Sequence, residues 1–135
     1  MNNLYNYSIK VTRVIDGDTV DAMIDLGFDT HVFKRIRFLG INTPEKHGIT
    51  MKIGKEATAH LEQILKTPGR VLLECKELGK FGRALGRVLI ETESGETIDV
   101  NQRMIDDGHA LPYFGESRSD EDFLTEEFLR GRQAA

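Results

Sequence analysis

Apolar and polar residues alternate along the first third of the chain, which is the pattern of half-buried β-strands. The alternation runs through residues 7–15, 20–26 and 31–39. The dipeptide Asp16-Gly17 favours a tight turn between the first two segments, and residues 27–30 supply the next turn. Three strands in an antiparallel meander are therefore predicted.

Helical periodicity begins after this meander. Apolar residues recur every three or four positions through residues 53–65, and Pro68-Gly69 is expected to end that helix. Residues 71–76 and 84–92 then predict a fourth and a fifth strand. Asp99 is placed to cap a short helix that follows the fifth strand.

The last segment is predicted to be one amphipathic helix over residues 119–132. Ser119 followed by Asp122 resembles a capping box, and acidic residues fill the first turn. This helix is expected to pack Leu124 and Phe128 against the rest of the domain.

Five strands with a helix between the third and fourth match the order of an OB-fold barrel. The fold class predicted is α+β, mainly β: a five-stranded OB-fold barrel with three helices. The segment count alone does not decide this fold. The chain is expected to be a single domain over residues 1–135, with a core over about 7–116 and the C-terminal helix over about 119–132.

Composition narrows the function only slightly. The 135 residues suffice for one domain with a core, and the net charge of −4 counts against a nonspecific polyanion binder. Residues 116–135 carry most of that excess acid, so a positive cleft in the body of the domain stays possible. Cys75 is expected to be a small core residue rather than a catalytic thiol. The four histidines show no metal-ligand spacing: His31, His47, His60 and His109.

The N-terminal sequence has no basic run followed by an apolar stretch, and no segment has the roughly 20 apolar residues of a membrane span. These observations lead to the expectation of a cytoplasmic protein without a membrane partner. A monomer is the default expectation.

Chemistry-bearing residues cluster at the ends of the β-type segments. The set comprises Asp16-Gly17-Asp18-Thr19, Arg37, Thr43-Pro44-Glu45 and Gly82-Arg83. Carboxylate oxygens suit a hard cation such as Ca²⁺, and planar guanidinium groups suit the oxygens of a phosphate. An additional glutamate suits a water that must be oriented or deprotonated. Each piece alone is a weak signal, but together they favour a metal-assisted phosphodiester hydrolase.

Five stretches of sequence carry a family resemblance. They are "VIDGDTV", "RFLGINTPE", "GKEATAHL", "KFGRALGRV" and "DDGHALPYF". In this order and with these gaps the chain resembles the staphylococcal nuclease (thermonuclease-like) family, from about Tyr7 to Phe114 and more loosely through the last helix. The resemblance implies a five-stranded OB barrel with three helices. It also implies Ca²⁺-dependent cleavage of DNA and RNA that leaves 3′-phosphate ends.

The resemblance assigns a role to each matching position. Metal ligands are expected at Asp18, Asn42 and Thr43, with Asp16 beside the metal. The catalytic residues implied are Arg37, Glu45 and Arg83, and substrate-binding residues are expected at Lys80, Phe81, Tyr113 and Phe114. DNA and/or RNA is the implied partner and Ca²⁺ the implied cofactor.

The chain also departs from the family pattern. Asn42 stands where the family usually has a second acidic ligand, and phenylalanines occupy positions 81 and 114 where the well-known secreted member has tyrosines. The loop after Glu45 is also shorter than in that member. Two functions therefore stay open: an active nuclease, or a catalytically weak or inactive OB-fold module that binds nucleic acid or a protein partner. The preference for DNA or RNA and for endo or exo cleavage is not predicted.

Overall fold

The protein is described by a computed structural model over residues 5–78, 83–115 and 119–134. In chain order the strands are β1 (Tyr5–Asp16), β2 (Thr19–Gly27), β3 (Thr30–Phe38), β4 (Ile41–Asn42), β5 (Gly69–Leu78), β6 (Arg83–Thr92), β7 (Thr97–Asp99) and β8 (Leu111–Pro112). The α-helices are α1 (Met51–Leu65), α2 (Val100–Asp106) and α3 (Glu126–Ala134). A 3₁₀ turn over Gly48–Thr50 leads into α1, and another covers Asp120–Phe123.

Five long strands close into a barrel. β1, β2 and β3 form the predicted antiparallel meander, and β5 pairs antiparallel with both β1 and β6. β3 and β6 complete the ring in parallel, with Arg35 opposite Arg83 and Phe38 opposite Gly86. The predicted mainly β fold is confirmed within the described residues. Two short features were not predicted: β7 on the edge of β6, and a separate ladder of β4 with β8.

The barrel interior follows directly from the alternating pattern. The inward-facing residues of β2 and β3 are completely or almost completely buried: Val20, Ala22, Ile24, Ile36 and Phe38. Ala57 and Leu61 of α1 belong to the same core cluster, since their spacing places them on one helix face. Cys75 is buried in this core as expected, and burial raises the pKa of its thiol, which opposes thiolate chemistry.

Two bulges interrupt the pairing of β1 with β2. Val11 and Arg13 face the consecutive β2 residues Ala22 and Asp21, so Thr12 is an extra residue on β1. A second shift follows Val14 and precedes Asp16. Each inserted residue changes which side chains face outward, because side chains on a strand alternate between its two faces.

The end of the chain corrects one prediction. A single helix over residues 119–132 is wrong: the capping box of Ser119 and Asp122 is present, but it begins a 3₁₀ turn, and α3 starts only at Glu126. A 3₁₀ turn has three residues per turn, so it presents a different face from an α-helix in the same register. As a result Phe123 is buried and packs edge-on against Phe128, whereas Leu124 is exposed.

The predicted Asp99 cap of α2 is confirmed, since the Asp99 carboxylate accepts the backbone N–H of Gln102 at 3.1 Å. No helix among the described residues is both long enough and apolar enough to cross a membrane.

Candidate functional site

Asp18 is the centre of a buried polar cluster where the β1–β2 turn meets the segment after β4. Its Oδ2 accepts the backbone N–H of Thr43 at 3.0 Å, and its Oδ1 accepts the hydroxyl of Thr19 at 2.9 Å. A guanidinium nitrogen of Arg37, Nη1, lies 3.2 Å from Oδ2. Asp18 is only 6% exposed, so its charge is balanced by these neighbours more than by water.

Arg37 joins β3 to the segment that follows it. Nη2 donates to Oδ1 of Asn42 at 3.2 Å, and Nη1 donates to the carbonyl of Phe38 at 3.1 Å. Asn42 is fixed in turn because β4 pairs with β8, with Asn42 opposite Leu111. The structure therefore brings together four of the residues to which the sequence assigns a role: Asp18, Arg37, Asn42 and Thr43.

Asp16 lies beside this cluster, and the structure gives it no ion pair among the described residues, although its charge contributes to the raised pKa of Arg35. Its Oδ1 is buried and makes no hydrogen bond within the described residues. Burial, followed by hydrogen bonding and repulsion from Asp18, raises the pKa of Asp16 to about 7. The paired acids thus leave an oxygen with unused capacity to bind a cation.

The close approach of these segments depends on Gly17. A Cβ at that position would lie 2.9 Å from Cγ2 of Thr43 and 3.0 Å from Cβ of Ala57. The turn between Asp16 and Asp18 therefore packs directly on both neighbours, and a side chain there would push Asp18 away from Thr43.

Glu45 lies on the loop after Thr43, with a fixed backbone and an open side chain. Its carbonyl accepts the hydroxyl of Thr50 at 2.8 Å, and a Cβ on Gly54 of α1 would collide with that carbonyl. The carboxylate is 58% exposed and lies 3.5 Å from Nε2 of His47. The structure gives it no contact with Asp18 or Arg37.

The structure does not describe the side chains of three of the predicted site residues. Lys80 and Phe81 lie outside the described residues, and only the backbone of Arg83 is described, at the start of β6 opposite Arg35. Tyr113 and Phe114 follow β8, and the backbone N–H of Tyr113 donates to the carbonyl of Gly40 at 2.8 Å. Phe114 is 82% exposed and borders a groove of about 370 Å³ with Gly40, Ile41 and Arg87.

Sequence reasoning missed a buried asparagine that fixes the strands next to the site. The Asn101 side chain accepts the backbone N–H of Val88 at 3.1 Å and donates to the carbonyls of Leu39 at 2.8 Å and Gly86 at 3.2 Å. It therefore holds the end of β3 against β6. An asparagine in the first turn of a predicted helix gave no sign of this role.

A histidine cluster on the other side of α1 was also missed. Nε2 of His60 lies 2.7 Å from Oδ2 of Asp107, which also accepts Nε of Arg103 at 2.9 Å, and the ring of His60 stacks on His109 at 4.3 Å. Burial, reinforced by the charge of His60, lowers the pKa of His109 against a smaller opposing effect of Asp107. Burial favours a higher pKa for Asp107, but the hydrogen bonds from His60 and Arg103 lower it overall.

This cluster should make the fold sensitive to mild acid. The unfolded chain protonates His109 near its ordinary pKa of 6.5, whereas the folded chain binds that proton less tightly, so stability is lost as the pH falls below about 6.5. The lowered pKa of Asp107 acts only below its ordinary value of 3.8. The raised pKa of Asp16 acts in the opposite direction over the same range, because the folded chain binds that proton more tightly than the unfolded chain. We therefore expect the Tm change from pH 7 to pH 5 to be more favourable by a few degrees in His109→Phe than in the parent protein.

Circular dichroism melts at each pH measure this difference. His31→Phe is the matched control, because His31 is exposed. If both variants showed the same acid sensitivity as the parent protein, His109 would not be its source.

Comparison with known proteins places this geometry in a family. Residues 35–135 match the family model described as staphylococcal nuclease homologue. Protein ParB of Escherichia coli is 28% identical over 130 residues, which cover 92% of this chain and 68% of ParB. Two proteins named uncharacterized endonuclease, from Escherichia coli O157:H7 and from Escherichia coli, are each 31% identical over 106 residues.

The aligned region covers 77% of this chain and 60% of each of these two relatives, so the chain spans less than two thirds of their length. The family model, in contrast, matches well over half of this chain and includes Arg37, Asn42, Thr43 and Glu45. The chain therefore belongs to the staphylococcal nuclease homologue family, as its sequence motifs indicate.

Proposed function

We propose that this protein hydrolyses phosphodiester bonds of DNA and/or RNA with the help of Ca²⁺ and leaves 3′-phosphate ends. The observation that carries the proposal is the cluster at Asp18. The buried Asp18 carboxylate accepts the backbone N–H of Thr43 and contacts the Arg37 guanidinium, which in turn donates to the amide oxygen of Asn42. A structural barrel needs no such group of charges, whereas phosphodiester hydrolysis needs both a cation and anion-binding donors.

The donor set fits a hard cation. No group of three or more histidine, cysteine or acidic side chains within residues 5–78, 83–115 and 119–134 is arranged to hold a metal. The oxygens near one another are instead of mixed type: the Asp18 carboxylate and the Asn42 amide, both in contact with Arg37, the Thr43 carbonyl that the resemblance implies, and the unpaired oxygen of Asp16. Ca²⁺ accepts carboxylate, amide and carbonyl oxygens and completes its shell with water. When bound, Ca²⁺ would polarise the phosphate and lower the pKa of a coordinated water.

Arg37 is proposed to bind the scissile phosphate. Its two terminal nitrogens contact Asp18 and Asn42, and its side chain is 24% exposed. These contacts hold the guanidinium beside the oxygens that would hold Ca²⁺, where it can bind a phosphate that the ion also polarises.

Glu45 is proposed to orient the attacking water and accept its proton. Its fixed backbone and open carboxylate suit that role, because a base must reach a water in the cleft while its chain segment stays in place. Arg83 is proposed to bind the phosphate from the β6 side, where its backbone neighbours Arg35.

The test is cleavage of a single-stranded circular DNA and of a supercoiled plasmid, each with Ca²⁺ and then with excess chelator. Cleavage that requires Ca²⁺ and is lost in Asp18→Asn supports the proposal, since that variant controls for contaminating nucleases. The product ends are tested with a DNA polymerase, which should extend them only after a phosphatase has removed the 3′-phosphate.

The second candidate is a module that binds nucleic acid or a protein without cutting. The amide of Asn42 favours it, because the site then has one fewer charged ligand than the family usually provides. DNA retarded in a gel with no cleavage at any Ca²⁺ concentration would favour this candidate over the nuclease.

Asn42→Asp should tighten Ca²⁺ binding by about tenfold, because added ligand charge is a main determinant of Ca²⁺ affinity. Isothermal titration calorimetry measures the change directly. Asn6→Asp adds the same charge at an exposed position of β1 and is the control. Unchanged or weaker binding in Asn42→Asp would mean that residue 42 does not ligate the ion.

A further inference from the structure

A charged row crosses the outer face of the meander beside the candidate site. Arg13 of β1 lies opposite Asp21 of β2, which lies opposite Arg35 of β3. The bulge at Thr12 sets this row, since it gives Arg13 rather than its neighbour an outward position facing Asp21. The hydroxyl of Thr12 donates to the carbonyl of Asp21 at 3.2 Å and fixes the bulge.

Asp21 holds Arg35 in a defined orientation through two nitrogens of the guanidinium and leaves the third nitrogen for another partner. Nε donates to Oδ1 of Asp21 at 2.8 Å and Nη2 to Oδ2 at 3.2 Å. The hydrogen bonds from Arg35 lower the pKa of Asp21 against a smaller effect of burial, so this carboxylate stays charged. Across the described residues Nη1 of Arg35 has no hydrogen-bond partner, and the side chain is 46% exposed.

Arg35 and Arg37 are two residues apart on one strand and therefore share a face, with Cα atoms about 6.8 Å apart. That separation is comparable with the distance between neighbouring phosphates along an extended polynucleotide. A strand whose scissile phosphate meets Arg37 can therefore present its next phosphate to Arg35 and Arg13.

The next row across the same face combines a lysine, a methionine and an aromatic ring. Lys10, Met23 and Phe33 lie opposite one another on β1, β2 and β3. Phe33 is 55% exposed, far more than burial in a core would leave it. A cavity of about 510 Å³ adjoins this row, lined by Ser8, Ile9, Lys10, Met23, Asp25 and His31. An exposed ring beside a cavity of this size can stack on an unpaired base.

We infer that the outer face of the β1–β3 meander is a second nucleotide site for a single-stranded polynucleotide that extends from the candidate catalytic cluster. The inference rests on the proposed nuclease function and adds its substrate class, an unpaired strand longer than two nucleotides. Arg13 and Arg35 bind the flanking phosphate, and Phe33 stacks on the base beyond it. A duplex does not fit this arrangement, because its bases are already stacked on one another.

The acidic residues of this face are already engaged. Asp21 is neutralised by Arg35, and Oδ1 of Asp25 accepts the backbone N–H of Gly27 at 2.8 Å. Arg13 is exposed and forms no ion pair among the residues described, although its charge contributes to the lowered pKa of Asp21. The row therefore offers positive charge locally, despite the net charge of −4 for the whole chain.

The test is fluorescence anisotropy with labelled single-stranded DNA of two and of twelve nucleotides, in chelator so that no cleavage occurs. For the longer probe, the double variant Arg13→Gln with Arg35→Gln should lose about tenfold in affinity, and its salt slope should fall by about 0.7, the value for one phosphate contact. Phe33→Ala should lose about tenfold. The two-nucleotide probe should lose less than twofold in each variant.

The matched controls lie elsewhere on the surface. Arg70→Gln removes an exposed arginine at the start of β5, and Phe28→Ala removes a fully exposed ring at the tip of the β2–β3 hairpin. Arg13→Gln alone is also measured, because Arg35→Gln leaves the Asp21 carboxylate without its partner. Equal losses in controls and test variants, or losses equal for both probe lengths, would overturn the inference.

The binding assay separates this inference from the proposed function. Length-dependent losses without Ca²⁺-dependent cleavage would support the second nucleotide site and reject the nuclease. Cleavage with no effect of residues 13, 33 and 35 on binding would do the reverse. Failure of the parent protein to bind the twelve-nucleotide probe would overturn the second site outright.

Discussion

Arg37→Gln should lower kcat for Ca²⁺-dependent DNA cleavage by about 10²–10³-fold, the usual cost of removing one preorganised donor from a developing anion. Glutamine cannot supply the positive charge or the planar fork that Asp18 and Asn42 hold in place. The effect should fall mainly on kcat, because the phosphate gains most of its charge in the transition state. Steady-state cleavage of a labelled oligonucleotide over a range of concentrations separates kcat from KM.

Two controls test whether a lower kcat could come from the loss of a surface charge or from a weakened fold. Arg70→Gln removes the same charge from an exposed position on β5 and should leave kcat within about twofold, since isolated surface charges contribute little. Thermal melts show whether loss of the Arg37–Asp18 pair has weakened the fold. A folded Arg37→Gln protein that turns over at the parental rate would remove Arg37 from the mechanism.

Glu45→Gln should lower kcat by about 10²–10⁴-fold, the range typical of a general base. The carboxylate is 58% exposed and its nearest described partner is His47, so the isosteric amide should leave the fold unchanged. The pH–rate profile is the more specific measurement. Its acidic limb should disappear in the variant, because an amide has no proton to lose.

Glu62→Gln is the control for Glu45, since it removes an exposed carboxylate from α1. If Glu45→Gln reduced the rate but kept the parental pH–rate profile, the residue would position the substrate rather than accept a proton.

Most of the barrel could be predicted because alternation in the strands reports burial directly. The meander, the helix over α1 and the Asp99 cap all follow from local patterns that the core then satisfies. The segment after Ser119 failed for a physical reason. A capping box specifies where a turn begins, and it does not decide between a 3₁₀ turn and an α-helix.

The candidate site was predictable because its members stand in the motifs that carry the family resemblance. Asp18, Arg37 and Asn42 sit at strand ends, which the closed barrel brings together. The pairing of Asp21 with Arg35 was not predictable, because the bulges of β1 and the register of β3 decide which residues are opposed. Contacts between distant segments, such as His60 with Asp107, carry no local signal at all.

The position of Gly54 explains why a residue that destabilises helices stands within α1. A glycine within a helix usually lowers helix stability by about 1 kcal/mol relative to alanine, so a designer seeking heat resistance would replace it first. In this protein the added methyl group would collide with the carbonyl of Glu45 and displace the loop that carries the Glu45 carboxylate. Because that clash is with backbone, it should outweigh the gain in helix propensity, so Gly54→Ala should lower thermostability and turnover together. A weak helix former is kept in α1 so that the loop can dock.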